Sequence, residues 1–197
     1  ALGPTMNGLF QAVIDGSRID INPFVIPPER LTRWMRKAWK RQFPNRPRGP
    51  PVSHKVDSLS LLPADLDLSG IEIELAMRIG REHRLRIALE GAMEQFDLII
   101  IDTPASLGLL TVNALTAADW LLIPIQAEFY ALESMGQLLD TLRKVQSRVN
   151  PSLKLLGISM TMVQTGSNLG KMVGDSALRH FGDRILTVSY THLTLPT

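Results

Sequence analysis

A single carboxylate, Asp102, ends the run Phe96-Asp97-Leu98-Ile99-Ile100-Ile101-Asp102-Thr103-Pro104, where four large apolar residues in a row leave no room for charge until the Asp appears. Pro104 stiffens the loop beyond the Asp, because its ring fixes φ and removes an N–H donor. In open α/β sheets ligands bind beyond the carboxyl ends of the strands. A carboxylate placed there can hold a magnesium ion, directly or through water, and the ion can bridge nucleotide phosphates. The same residue type is also a good helix N-cap. On the run alone, both roles stay open for Asp102. Gln126 and Glu128 follow the next apolar run, Trp120 to Ile125, at an equivalent carboxyl end. They can line the same ligand face, or they can cap a helix and be solvated.

A second set of residues is cationic. Arg33, Arg36, Lys37, Lys40 and Arg41 recur at three- and four-residue steps between Glu29 and Gln42, with Trp34 and Trp39 interleaved, and no acidic residue lies between Arg30 and Val56. A cationic face with aromatics suits phosphate backbones, anionic lipids or an acidic partner. A solvated helix whose tryptophans pack on a core accounts for the pattern equally well. One chemistry is not found: a phosphate-binding P-loop needs two glycines with four residues between them, then Lys and Ser or Thr. The nearest stretch, Gly166-Ser167-Asn168-Leu169-Gly170-Lys171-Met172, is one residue short and carries Met where a metal-binding hydroxyl belongs. Ser167 or Asn168 reads better as a helix cap.

The elements that must position these residues alternate. Ser58 to Leu62, Leu98 to Ile101, Trp120 to Ile125 and Leu153 to Met160 are short and apolar, as parallel strands covered on both faces are. Glu82 to Gln95 sets Leu85, Ala88, Leu89 and Ala92 on one stripe, and Ala131 to Val149 repeats this with Leu132, Met135, Leu138, Leu139 and Leu142 until Asn150-Pro151 stops it. Strand and helix in alternation predict βαβ units and a doubly wound, mostly parallel α/β sheet. Residues from about 22 to 56, rich in Pro and basic residues, interrupt the rhythm like a surface insertion around a helix over Glu29 to Gln42. The 197 residues, 45% hydrophobic, suffice for a full-sized core, and the length favours one domain. The absence of cysteine excludes disulfides and thiolate sites. No apolar run approaches the roughly 18 residues of a membrane span.

The longer context resembles the ParA family of partition ATPases, also called deviant Walker-A ATPases. The resemblance runs through Leu62-Pro63-Ala64, Leu68, Glu72 and Glu74, through Arg81-Glu82-His83-Arg84-Leu85 and through Phe96 to Asp119. It continues in Ile123 to Glu133, Thr161-Met162, Asn168-Leu169 and His180-Phe181-Gly182-Asp183. It covers about Leu59 to Ile185, and more weakly Thr5 to Val13.

The resemblance implies a P-loop NTPase-like fold of the SIMIBI type. It makes Asp102 the acidic residue of a Walker B-type strand, organising Mg²⁺ and the attacking water, with Thr103 and Pro104 shaping the loop beside the γ-phosphate. Ala105 stands where the family usually has a second Pro. Gln126 and Glu128 are implied near the nucleotide or the dimer face. Implied cofactors are ATP and Mg²⁺. Implied partners are a second copy in an ATP-dependent homodimer, DNA bound without sequence preference, and a ParB-like protein that stimulates hydrolysis. The expected location is cytoplasmic, on the nucleoid. For DNA, the family commonly has an Arg shortly before Asn168-Leu169, where this chain has Gly166; Lys171, Arg179 and Arg184 are the basic residues left nearby, with Arg33, Arg36, Lys37 and Lys40 as a second source.

The family's phosphate loop, with its signature Lys, precedes the region that corresponds to Ala1. Residues 1–187 are therefore expected to be a partial domain, truncated at both ends and inactive alone. Val188 to Thr197 resembles a translated sequencing-library adapter and is expected to be a non-native tail. Two other functions compete: a related deviant Walker-A ATPase that positions a division-site or chemoreceptor cargo, and a non-enzymatic α/β binding module.

Overall fold

A computed structural model describes residues 5–15, 20–33, 37, 58–64, 66–104, 106–126, 131–161, 178–179 and 181–186. Contacts divide the chain into two compact units, Ala1–Ile100 and Ile101–Thr197.

In the first unit, helix α1 (Met6–Ile14) buries Leu9, Phe10, Val13 and Ile14, a stripe that returns after four residues. Leu9 and Val13 pack with Ala88, flanked by Met6, Phe24 and Leu62. The Met6 N–H donates to the Pro63 carbonyl at 2.7 Å, tying the helix start to the segment around Leu61. Ser58 to Leu62 is not a strand of the parallel sheet: Leu61 alone exchanges two backbone bonds with Ile26, as an isolated antiparallel bridge. Pro27 and Pro63 flank the bridge; neither has an N–H to extend a ladder. The basic helix starts as expected, with helical residues at 28–33 and 37, and its remainder lies outside the described residues.

Helix α2 (Leu68–Ala76) buries Ile71 and Leu75. The chain then reverses through Gly80, whose φ of 64° only glycine adopts without strain. The single helix expected over Glu82 to Gln95 is three pieces: a 3₁₀ turn at Arg81–His83, helix α3 (Arg84–Leu89) and a second 3₁₀ turn at Glu90–Ala92. Its expected stripe is nevertheless buried at Leu85, Ala88, Leu89 and Ala92. Gly91 falls in the last turn, where glycine costs about 1 kcal/mol relative to alanine, and the chain there tightens instead of continuing as α-helix.

Leu98 to Ile101 departs most from expectation. Among the described residues it joins no ladder, and Leu98 and Ile100 are 76% and 83% exposed. An apolar run states a demand for burial; a strand also needs a neighbour with unpaired N–H and C=O groups, and none of the described residues provides one.

The second unit is α/β. Helix α4 (Leu109–Ala117) precedes strand β1 (Trp120–Gln126), helix α5 (Ala131–Arg148) and strand β2 (Lys154–Thr161). β1 and β2 pair in parallel from Trp120↔Lys154 to Gln126↔Thr161, with a register shift between Leu121 and Leu122 that leaves Leu156 as the extra residue. Two apolar clusters hold this unit together. Ile123, Ile125, Ile158 and Met160 pack against Leu138 and Leu139 of α5, and Leu115, Leu142, Val145 and Leu153 join α4 to α5. β1 alternates, with Ile123 and Ile125 buried but Trp120, Leu122 and Pro124 exposed. The described residues thus cover one of its faces, where the continuous apolar run predicts two.

Two details fix the unit's edges. Asn150, 2% exposed, donates from Nδ2 to the carbonyls of Leu115, Thr116 and Ala118 at 3.0, 3.1 and 2.8 Å. Gly157 lets the chain after the Gly182–Arg184 turn come close to β2. The Leu186 N–H donates to the Ile158 carbonyl at 2.9 Å, and a Cβ on Gly157 would stand 2.6 Å from Leu186 Cδ2.

Candidate functional site

The segment 101–104 is neither helix nor strand, and Asp102, Thr103 and Pro104 are all exposed. Of the two roles left open for Asp102, the structure removes one. The residue at the N-cap of α4 is Gly108, extended at φ −77° and ψ −173°, with its carbonyl accepting from the Val112 N–H at 3.1 Å. Asp102 stands well before that cap, so it does not cap the helix.

A hydroxyl links the segment before α4 to the buried face of the helix. Thr111, in the first turn of α4 and 5% exposed, donates from Oγ1 to the Ser106 carbonyl at 2.6 Å. Two further buried polar residues turn inward on the same helix, with Asn113 Nδ2 donating to the Leu109 carbonyl at 3.0 Å and Thr116 Oγ1 to the Val112 carbonyl at 2.7 Å. Such bonds let polar side chains sit in a buried helix face without an unsatisfied donor.

Gln126 lies at the carboxyl end of β1, exposed and opposite Thr161, whose Oγ1 donates to the Ile125 carbonyl at 3.0 Å. Asp102 and Gln126 belong to the same unit. Glu128 lies outside the described residues, as do Lys171, Arg36 and Lys40. Arg179 and Arg184 are exposed in the second unit, and Arg33 and Lys37 in the first. The tail Val188 to Thr197 is also outside the described residues.

Among the described residues no group of three or more His, Asp and Glu side chains is placed to cage an ion. One exposed carboxylate beside a threonine hydroxyl suits Mg²⁺, which keeps much of its water and is held through one or two carboxylates together with phosphates. A surface cavity of about 460 Å³ in the first unit, lined by residues that include Ile79, His83, Arg84, Arg86, Ile87 and Glu90, contains none of the candidate catalytic, nucleotide or DNA-binding residues. No helix among the described residues is long and apolar enough to cross a membrane.

Sequence reasoning missed the roles of Thr111 and Asn113, and took Asn150 only as the stop of the helix before it. The run Thr111-Val112-Asn113-Ala114-Leu115-Thr116 does carry a signal, since three polar residues interrupt an otherwise apolar helix at positions that must face inward.

A family model described as an AAA domain matches residues 51–155. Sporulation initiation inhibitor protein Soj of Bacillus subtilis (strain 168) is 48% identical over 130 residues, which is 66% of this chain and 51% of that protein. Chromosome partitioning protein ParA of Caulobacter vibrioides is 43% identical over 136 residues, 68% of this chain and 51% of that protein. The chain thus spans about half the length of these curated relatives. Among solved structures, cobyrinic acid a,c-diamide synthase from Mycobacterium smegmatis superposes with a TM-score of 0.73 at 29% identity, covering 100% of this chain and 67% of that one. The same synthase with bound ATP analog and magnesium matches at a TM-score of 0.61 and 32% identity, covering 92% of this chain and 68% of that one.

Proposed function

The chain belongs to the ParA family of partition ATPases, and from that premise we propose that its full-length protein binds and hydrolyses ATP with Mg²⁺ to drive plasmid or chromosome partitioning. The observation that carries this reading is Asp102: an exposed carboxylate between an apolar run and α4, with the capping of α4 left to Gly108. When bound, Mg²⁺ supplies charge neutralisation across the nucleotide phosphates. Asp102 would hold the ion or one of its waters and orient the water that attacks. Thr103 and Pro104 shape the loop beside the terminal phosphate, and Gln126 and Glu128 line the nucleotide or dimer face.

Lys171, Arg179, Arg184, Arg33, Arg36, Lys37 and Lys40 supply contacts to DNA phosphates. Such contacts bind without reading sequence, with affinities of about 10⁻⁴ to 10⁻⁶ M at physiological salt. ATP-dependent pairing of two copies, a ParB-like partner that stimulates turnover, and residence on the nucleoid complete the proposal. The name of the chromosome partitioning protein ParA supports partitioning over the cargo-positioning alternative. The test is phosphate release by the full-length protein carrying Asp102→Ala. Turnover should fall below roughly one hundredth of wild type, the size of losing one preorganised charge contact. Normal turnover would remove Asp102 from the site.

A further inference from the structure

A Thr in an α-helix ordinarily returns its hydroxyl proton to a carbonyl three or four residues back, which keeps the bond inside the helix. Thr111 reaches five back instead, to Ser106, which precedes the Gly108 cap and lies in the loop that begins at Asp102. The bond is short, at 2.6 Å, and its donor is 5% exposed. Gly108 itself offers no side chain to hold the helix start. The segment 101–104 has no ladder or helix bonds of its own. A buried hydroxyl therefore ties the exposed segment before the helix to a helix whose far end is clamped by Asn150.

We propose that Thr111 is a positioning residue for the Asp102 loop: its hydroxyl holds the Ser106 carbonyl and so presets the loop geometry in which Asp102 meets Mg²⁺. The inference rests on the ATPase reading of Asp102. Thr111 touches neither nucleotide nor ion. Its effect is to narrow the arrangements the loop samples before binding, so removing it costs the site order, not a ligand.

The experiment compares full-length wild type with Thr111→Val, which keeps the shape and loses the hydroxyl, and Thr111→Ser, which keeps the hydroxyl; Thr111→Ala serves if the Val variant does not fold. Two quantities are read. The first is amide hydrogen exchange over 102–108 in nucleotide-free protein. The second is the Mg²⁺ concentration that half-saturates binding of a fluorescent ATP analogue. The Val variant should raise both the loop's exchange rate and the Mg²⁺ midpoint about fivefold, the fold-change of one buried hydrogen bond. The Ser variant should restore both, while amides at the C-terminal end of α4 keep wild-type protection throughout. A merely structural role would instead loosen the whole helix and leave the Mg²⁺ midpoint unchanged, and that result overturns the proposal. Asp102→Ala is measured alongside. If it binds Mg²⁺-nucleotide and turns over normally, the reading of Asp102 fails and this inference with it. If it is inactive while Thr111→Val matches wild type in both quantities, the positioning role alone is refuted.

Discussion

Replacing Asn150 with Ala should be among the most damaging single changes in the second unit, although the residue lies in a turn and takes part in no proposed chemistry. Its Nδ2 has two hydrogens and faces three carbonyls, those of Leu115, Thr116 and Ala118, at 2.8 to 3.1 Å. Leu115 and Thr116 belong to the last turn of α4, whose carbonyls have no helical donor ahead of them. Asn150 is thus a C-terminal cap delivered from 35 residues away. A buried group left without a partner costs about 1–3 kcal/mol. With two hydrogens removed, the loss should be about 2–4 kcal/mol, which lowers the melting temperature by roughly 5–15 °C in a protein of this size. Asn150→Asp should cost more. The Ser152 hydroxyl that donates to Asn150 Oδ1 at 2.8 Å can still do so, but a second carboxylate oxygen then points at three carbonyls. Guanidinium unfolding of the full-length variants, followed by circular dichroism, measures both. An Asn150→Ala variant within about 0.5 kcal/mol of wild type would refute the clamp, as would an Asp variant more stable than the Ala one.

Gly157→Ala should displace the Arg184–Leu186 segment, because the new Cβ would lie 2.6 Å from Leu186 Cδ2 and 3.2 Å from the Arg184 carbonyl oxygen. The expected cost is about 1–3 kcal/mol, with faster exchange of the Leu186 amide that now bonds to Ile158; unchanged exchange would contradict the close approach. Neutralising Arg33, Arg36, Lys37 and Lys40 together in the full-length protein should weaken retention on DNA and flatten its dependence on salt, since each lost phosphate contact lowers the slope of log K against log salt by about one. An equal slope would show that these four residues make no contact with DNA phosphates.

The parts of the fold that sequence discloses are those where burial demand and a partner coincide. Trp120 to Ile125 and Leu153 to Met160 both become strands, and they pair with one another. Helix α5 ends where Asn150-Pro151 requires. Leu98 to Ile101 has the strongest apolar pattern of all and forms no ladder among the described residues, because periodicity registers what a residue avoids and not which neighbour it will find. Helices α1 and α2 escaped notice for the opposite reason: α1 has its stripe, but short helices of mixed composition carry too few repeats to stand out. At the candidate site, Asp102 is legible as a motif because its chemistry depends on residue type. The hydroxyl of Thr111 and the amide of Asn150 are not, because their partners are backbone carbonyls, which every residue has.

The exposed run from Leu98 to Ile100 has a consequence for behaviour in solution. Short, β-prone, uncharged segments of this kind stack edge to edge between molecules and seed aggregation. Asp97 and Asp102 bracket the run at either end, and like charges at the ends of such a segment oppose in-register stacking. An alanine in place of Asp102, the candidate magnesium ligand, would thus also remove one of the two charges that bracket this run.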